Sequence, residues 1–217
     1  LVGSEMCIRD RKWHTCAWLL LPVLVFLAGW MHWYAALPLT LLTAAGLAPR
    51  KRKEPQTRDS LPAFPLFTRS SFLALAAFAA LMALSGWGEW VNQHPDHIVR
   101  NACLRELVAS PWPVIFPDGN VLIYNTGFWL VPALAGKLAG LDAARMLVVL
   151  WGAWGLFLSW LWLCVFSGRR SLLLALLMAA FGSLLNLQCW LGLNLFRLHY
   201  FGTAEQIMCS ANASIPV

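Results

Sequence analysis

Residues 86–107, GWGEWVNQHPDHIVRNACLREL, hold most of the chain's candidate chemistry. His94, Asp96 and His97 fall within four residues around Pro95, and Arg100, Asn101 and Arg105 follow. A carboxylate in such company can take a proton from a hydroxyl while nearby cations hold an anion. The same donors, His94, Asp96 and His97, could also contribute to a metal site. A purely structural alternative stands beside both. Asp96 then caps a helix running to about 109 and pairs with Arg100 four residues on, with His94 and His97 as interfacial polar residues. Glu89 and Asp118 are the substitute carboxylates.

The elements around this cluster follow from local chemistry. Pro95 pushes His94 toward an extended conformation, and HIVRNACLRELVA reads as a short helix with Asn101 and Arg105 one turn apart. After Ser110, the prolines at 111, 113 and 117 rule out a helix and enforce an extended track. Asp118–Gly119 then makes a turn.

Composition sets the class in which these elements sit. The chain is 59% hydrophobic and only 12% charged, and its mean hydropathy is +0.63. A soluble domain carries about 25% charged residues, so this chain lacks the polar side chains to cover itself in water. Thirteen Trp point the same way, because indole rings favour the membrane–water interface. The expectation is an all-α integral membrane protein. The six Cys (Cys7, Cys16, Cys103, Cys164, Cys189, Cys209) show no ligand-like spacing, so neither a disulfide framework nor a zinc site is expected. The net charge of +6 fits membrane topology better than nucleic acid, which is not expected as a partner.

About 20 apolar residues cross a bilayer core. Residues 17–48 are too long for one span and contain the interfacial turn signal GWMHWY, which divides them into spans near 16–31 and 34–49. Further spans are expected at 71–87, 146–166 and 171–196, about five in all. The loop 50–69 has six basic and two acidic residues, which makes it cytoplasmic. The loop 88–145, with four basic and five acidic residues, is then external. Residues 125–143 are short, carry Pro132 and Lys137, and are rich in Gly. If they crossed, Arg169 and Arg170 would lie outside, so they are read as an interfacial or re-entrant helix. Asn186, Gln188 and Asn194 in the last block either hydrogen-bond a neighbouring helix or face a substrate groove.

The opening LVGSEMCIRDR (1–11) resembles translated sequencing-adapter read-through and is set apart from the fold. Residues 12–69 then form a two-span hairpin with its basic loop. Residues 70–217 form a membrane domain that resembles a truncated piece of a longer one.

Residues 96–140, DHIVRNACLRELVASPWPVIFPDGNVLIYNTGFWLVPALAGKLAG, resemble the first external loop of a group of bacterial polytopic membrane proteins. In that group an Asp-Trp…Lys-His-Asn stretch leads into Pro-Trp-Pro-Val and a Tyr-rich helix ending in Pro-Ala-Leu…Gly-Lys-Leu. Asp96, Asn101, Leu104, Trp112, Pro113, Val114, Tyr124, Pro132, Ala133, Leu134, Gly136, Lys137 and Leu138 fit the pattern. His97 stands where Trp is usual, and Val99–Arg100 replace Lys-His. The group in turn resembles the GT-C class of integral-membrane glycosyltransferases.

That resemblance implies sugar transfer from a polyprenyl-phosphate donor on the external face of the bacterial inner membrane, with the bilayer and the lipid-linked sugar as partners. Asp96 would be the base, and His94 and His97 would orient acceptor or phosphate. Arg100, Arg105 or Lys137 would stabilise the leaving phosphate, with Asn101 in the same binding set. Trp112 and Tyr124 would stack on sugar or anchor the loop. The resemblance allows a divalent metal, but many members of the class pair acidic residues here, whereas Asp96 has no acidic neighbour. The chain has about half the usual length of the class, which implies truncation and no activity as it stands. Two other readings compete. A transporter or flippase component would place paired charges near the midplane, and no Asp, Glu, Lys or Arg lies inside an expected span. A non-catalytic scaffold would use the Pro/Trp loop to bind a partner.

Overall fold

A computed structural model describes residues 2–47, 66, 68–91, 93, 95–123 and 126–181. Among them the chain is all-helical, apart from a single antiparallel bridge between Ile115 and Val121. The helices are α1 (Val2–Trp30), α2 (Trp33–Leu47), α3 (Arg69–Leu84), α4 (Pro95–Ala109), α5 (Leu130–Ala139), α6 (Leu141–Phe166) and α7 (Leu172–Phe181). A 3-10 turn, Thr126–Phe128, precedes α5.

The expected division of residues 17–48 falls at Met31–His32, between α1 and α2. Helix α1 extends back through residues 2–11 without a break. The third expected span begins at Arg69, where the Thr68 hydroxyl caps α3 by accepting from the Ser71 backbone N–H at 3.4 Å. Helix α4 starts at Pro95, which suits a first-turn position because its missing N–H has no helical partner to lose. Asp96 therefore lies inside the first turn, not at the cap.

The expected count of about five spans goes beyond what helix lengths carry. Among the described residues, two helices are long and apolar enough to cross a bilayer, Asp10–Trp30 and Leu141–Phe166. Helix α3 has 16 residues, about 24 Å at the helical rise, against a hydrocarbon core of about 30 Å. Helix α2, with 15 residues, and α5, with 10, are shorter still. Residues 182–196, with Asn186, Gln188 and Asn194, lie outside the described residues.

Helix α6 organises the packing. Its first half joins α4, α5, the 114–122 loop and the end of α1 in one core, built on Leu104, Leu107, Val114, Leu130, Ala133, Ala144 and Val148. Its second half packs against α3 through Phe78, Ala153, Phe157, Trp160 and Leu161. Gly140, at φ +90°, makes the reversal between α5 and α6, a conformation that a Cβ would strain. Large apolar side chains point outward on every long helix, among them Leu19, Val23, Phe72, Leu73, Leu150 and Phe166.

Contacts sort the ends of this bundle. Arg11 lies over the Trp162 ring near the end of α6, and Arg170 bonds the Ser71 hydroxyl at the start of α3. Helices α1 and α3 therefore both run antiparallel to α6. One end gathers Arg11, Lys12, Arg69, Arg169 and Arg170, with Asp10 as its described acid. The opposite end carries the folded segment 86–140, in which both signs of charge are mixed.

Candidate functional site

Helix α4 distributes the expected site residues along its length. Asp96, His97 and Arg100 occupy its first turns, and the last two meet Trp87, which sits in the turn after α3. The Arg100 guanidinium lies 5.4 Å from the Trp87 ring centroid, and the His97 ring is 6.3 Å from the same indole. Arg100 also approaches Asp96 at 4.0 Å, and the Asp96 side chain is 59% exposed. It is open to solvent. Trp87 is braced from behind by Trp129, stacked at 5.5 Å, and by Phe128, edge-on at 5.2 Å. His94 and Tyr124 lie outside the described residues.

Asn101 faces inward. It is buried, and its Nδ2 donates to Gln93 Oε1 at 2.6 Å. Gln93 in turn donates to the carbonyls of Gly86 and Val91 at 3.0 and 2.9 Å. This chain of bonds holds the 86–93 turn against α4, which fixes Trp87 beside Arg100.

Trp112 and Lys137 meet at the other end of α4. The Trp112 indole N–H donates to the Leu107 carbonyl at 2.8 Å, and its ring packs 5.1 Å from that of Trp30 in α1. Lys137 Nζ lies 5.1 Å from the Trp112 ring centroid and donates to the Ser110 carbonyl at 2.5 Å and the Val108 carbonyl at 3.4 Å. A cation on the last carbonyls of a helix also favours its dipole. Beyond Trp112 the proline track reverses as read. Phe116 and Asn120 pair at 2.8 Å across the turn, with Gly119 at φ +83°. Asp118 accepts from the Asn120 N–H and side-chain amide at 3.1 and 2.6 Å. Those bonds hold the Asp118 carboxyl below its usual range.

Arg105 leads to a centre that sequence reasoning only half found. Its guanidinium bonds Glu89 Oε2 at 2.7 Å, and Arg145, in the first turns of α6, bonds the same oxygen. Arg145 also reaches Asp142 at 2.8 Å. The Glu89 side chain is only 9% exposed, and its backbone takes φ +62°, rare for any residue but glycine. The substitute carboxylate is thus the buried one. Its partner Arg145 and the ring Trp87 were missed. A lone cation at the head of an apolar run, as in LDAARMLVVL, was the signal available for Arg145.

Among the described residues no three His, Cys, Asp or Glu side chains gather into a metal-ligand group. An apolar groove of about 320 Å³ runs between α3 and α6, lined by Leu75, Ala79, Leu147, Leu150, Trp151 and Trp154. No protein-family model, curated protein or solved structure matches this chain.

Proposed function

We propose that the chain is an integral membrane protein whose segment 86–140 forms a cap at the outer surface, and that this cap takes part in sugar transfer from a polyprenyl-phosphate donor. The sorting of charge supports the membrane reading. Basic residues gather at the end away from the cap, the bias expected of a cytoplasmic face, and apolar side chains cover the helices between. The full set of about five spans, with α5 lying along the interface, belongs to this proposal.

One observation carries the chemical part: the His97 imidazole and the Arg100 guanidinium lie beside the Trp87 ring, and the Asp96 carboxylate approaches Arg100 at 4.0 Å. In the proposed reaction Asp96 takes the proton of the acceptor hydroxyl, whose oxygen forms a bond to the sugar's anomeric carbon. The bond from that carbon to the donor phosphate breaks, and polyprenyl phosphate leaves with its electron pair. Arg100 stabilises the departing anion. The α3–α6 groove suits an apolar tail entering from the bilayer.

A specific observation favours a scaffold as the second reading. Arg105, Asn101, Trp112 and Lys137 direct their donors at the cap itself, which makes it rigid whether or not it catalyses. Transfer of labelled sugar from a polyprenyl-phosphate donor by the full-length protein in liposomes separates the two. Transfer that Asp96→Asn abolishes, with helical content unchanged, is the expected result. No transfer by the full-length parent leaves the scaffold, and equal transfer by the variant removes Asp96 from the chemistry.

A further inference from the structure

We infer that Arg105 and Arg145 form a binding site for a phosphate or phosphomonoester dianion, which Glu89 fills as an internal competitor. Both guanidiniums converge on one Glu89 oxygen. Among the described residues, the other oxygen, Oε1, is buried without a hydrogen-bond partner, and so is Nε of Arg145. The carboxylate therefore matches the pair poorly: an acceptor and a donor are left over at the same place. A phosphate offers three outer oxygens in a tetrahedron and can give each guanidinium its own acceptors.

Three further features suit exchange. The Arg105 side chain is 56% exposed and opens the site to solvent. Glu89 is held in left-handed backbone within the turn after α3, a conformation its release would relax. The start of α6, which has no side-chain cap, lies one turn from Arg145, and a helix N-terminus favours an anion. Asp142 is the remaining acid on Arg145 and is 93% exposed. With Glu89 and Asp142 both in place the four charges cancel, so removing either acid leaves the arginines short of negative charge.

This site deepens the membrane-cap reading, which alone supplies its place at the bilayer surface, but it needs no sugar transfer. The test is thermal unfolding of the full chain in detergent with inorganic phosphate, with phosphatidic acid in mixed micelles, and with chloride at matched ionic strength. For Glu89→Gln, affinity for the anion should rise on the order of tenfold over the parent, and Arg105→Gln in that background should abolish the gain. Asp142→Asn, an exposed change, should give a smaller gain of the same sign and serves if Glu89→Gln does not fold. Stabilisation by phosphatidic acid alone identifies a lipid headgroup as the source, and stabilisation by both admits free phosphate. Behaviour identical to chloride in both arms, for both variants, overturns the site. Because the readout is binding, this result and the liposome transfer result can each fail alone.

Discussion

Arg145 of α6 and Glu89 of the turn after α3 form an ion pair across 56 residues of sequence. The pair ties the turn that leaves α3 to the first turns of α6, and Arg105 brings α4 onto the same oxygen. Three helices are thus fastened at one carboxylate, on the side of the cap nearest the long apolar helices.

Removing that carboxylate should loosen the cap. Glu89→Ala leaves two guanidiniums facing each other, one of them mostly buried. Arg105 is half in water, so the cost falls below that of a fully buried pair, at about 1–3 kcal/mol. Chemical unfolding of parent and variant in the same detergent checks this. A variant as stable as the parent would mean that the cluster does not hold the cap.

Gly136 sits where α4, α5 and α6 meet most closely. A Cβ there would lie 2.5 Å from Val108 Cγ2 and 2.8 Å from Ala144 Cβ, inside any ordinary contact. Gly136→Val should therefore force the helices apart and destabilise by about 1–3 kcal/mol. Gly127→Ala, where a Cβ meets nothing within 4 Å, is the control. Equal unfolding midpoints for the two variants would contradict the packing.

The 116–120 turn should respond to acid. The Asn120 donors depress the Asp118 pKa, so the carboxylate's contribution is fully present above the unfolded value of about 3.9. It is lost as pH falls through the lower folded value. The Asn120 amide resonance should therefore titrate with a midpoint below that of a model aspartate, and Asp118→Asn should remove the transition. A midpoint above the model value is the contrary outcome.

Much of the cap's local structure was legible because short-range chemistry dictates it. Pro95, the prolines at 111, 113 and 117, and Asp118–Gly119 mark the start of α4, the extended track and its turn, and each acts on its own neighbours. The break near Met31 was legible for the same reason. What lay beyond reach depends on contacts distant in sequence. Nothing local distinguishes Glu89 from Asp96 as the buried acid, since Arg145 supplies the difference from α6. Trp87 gains its place from Trp129 and Phe128. Hydropathy marks where apolar runs lie, yet it does not fix how many of their residues remain helical, as the 16 residues of α3 illustrate.

The account depends on lipid separating the charge-mixed cap from the basic end of the bundle. The most direct measurement is labelling of single cysteines, placed at Asp118 or Arg169 in a cysteine-free chain, in sealed cells with a membrane-impermeant thiol reagent. The account predicts that position 118 reacts from outside and that position 169 reacts only after the membrane is opened. Labelling of both positions from the same side would contradict it, because the cap would then have no separate compartment in which to meet a lipid-linked donor.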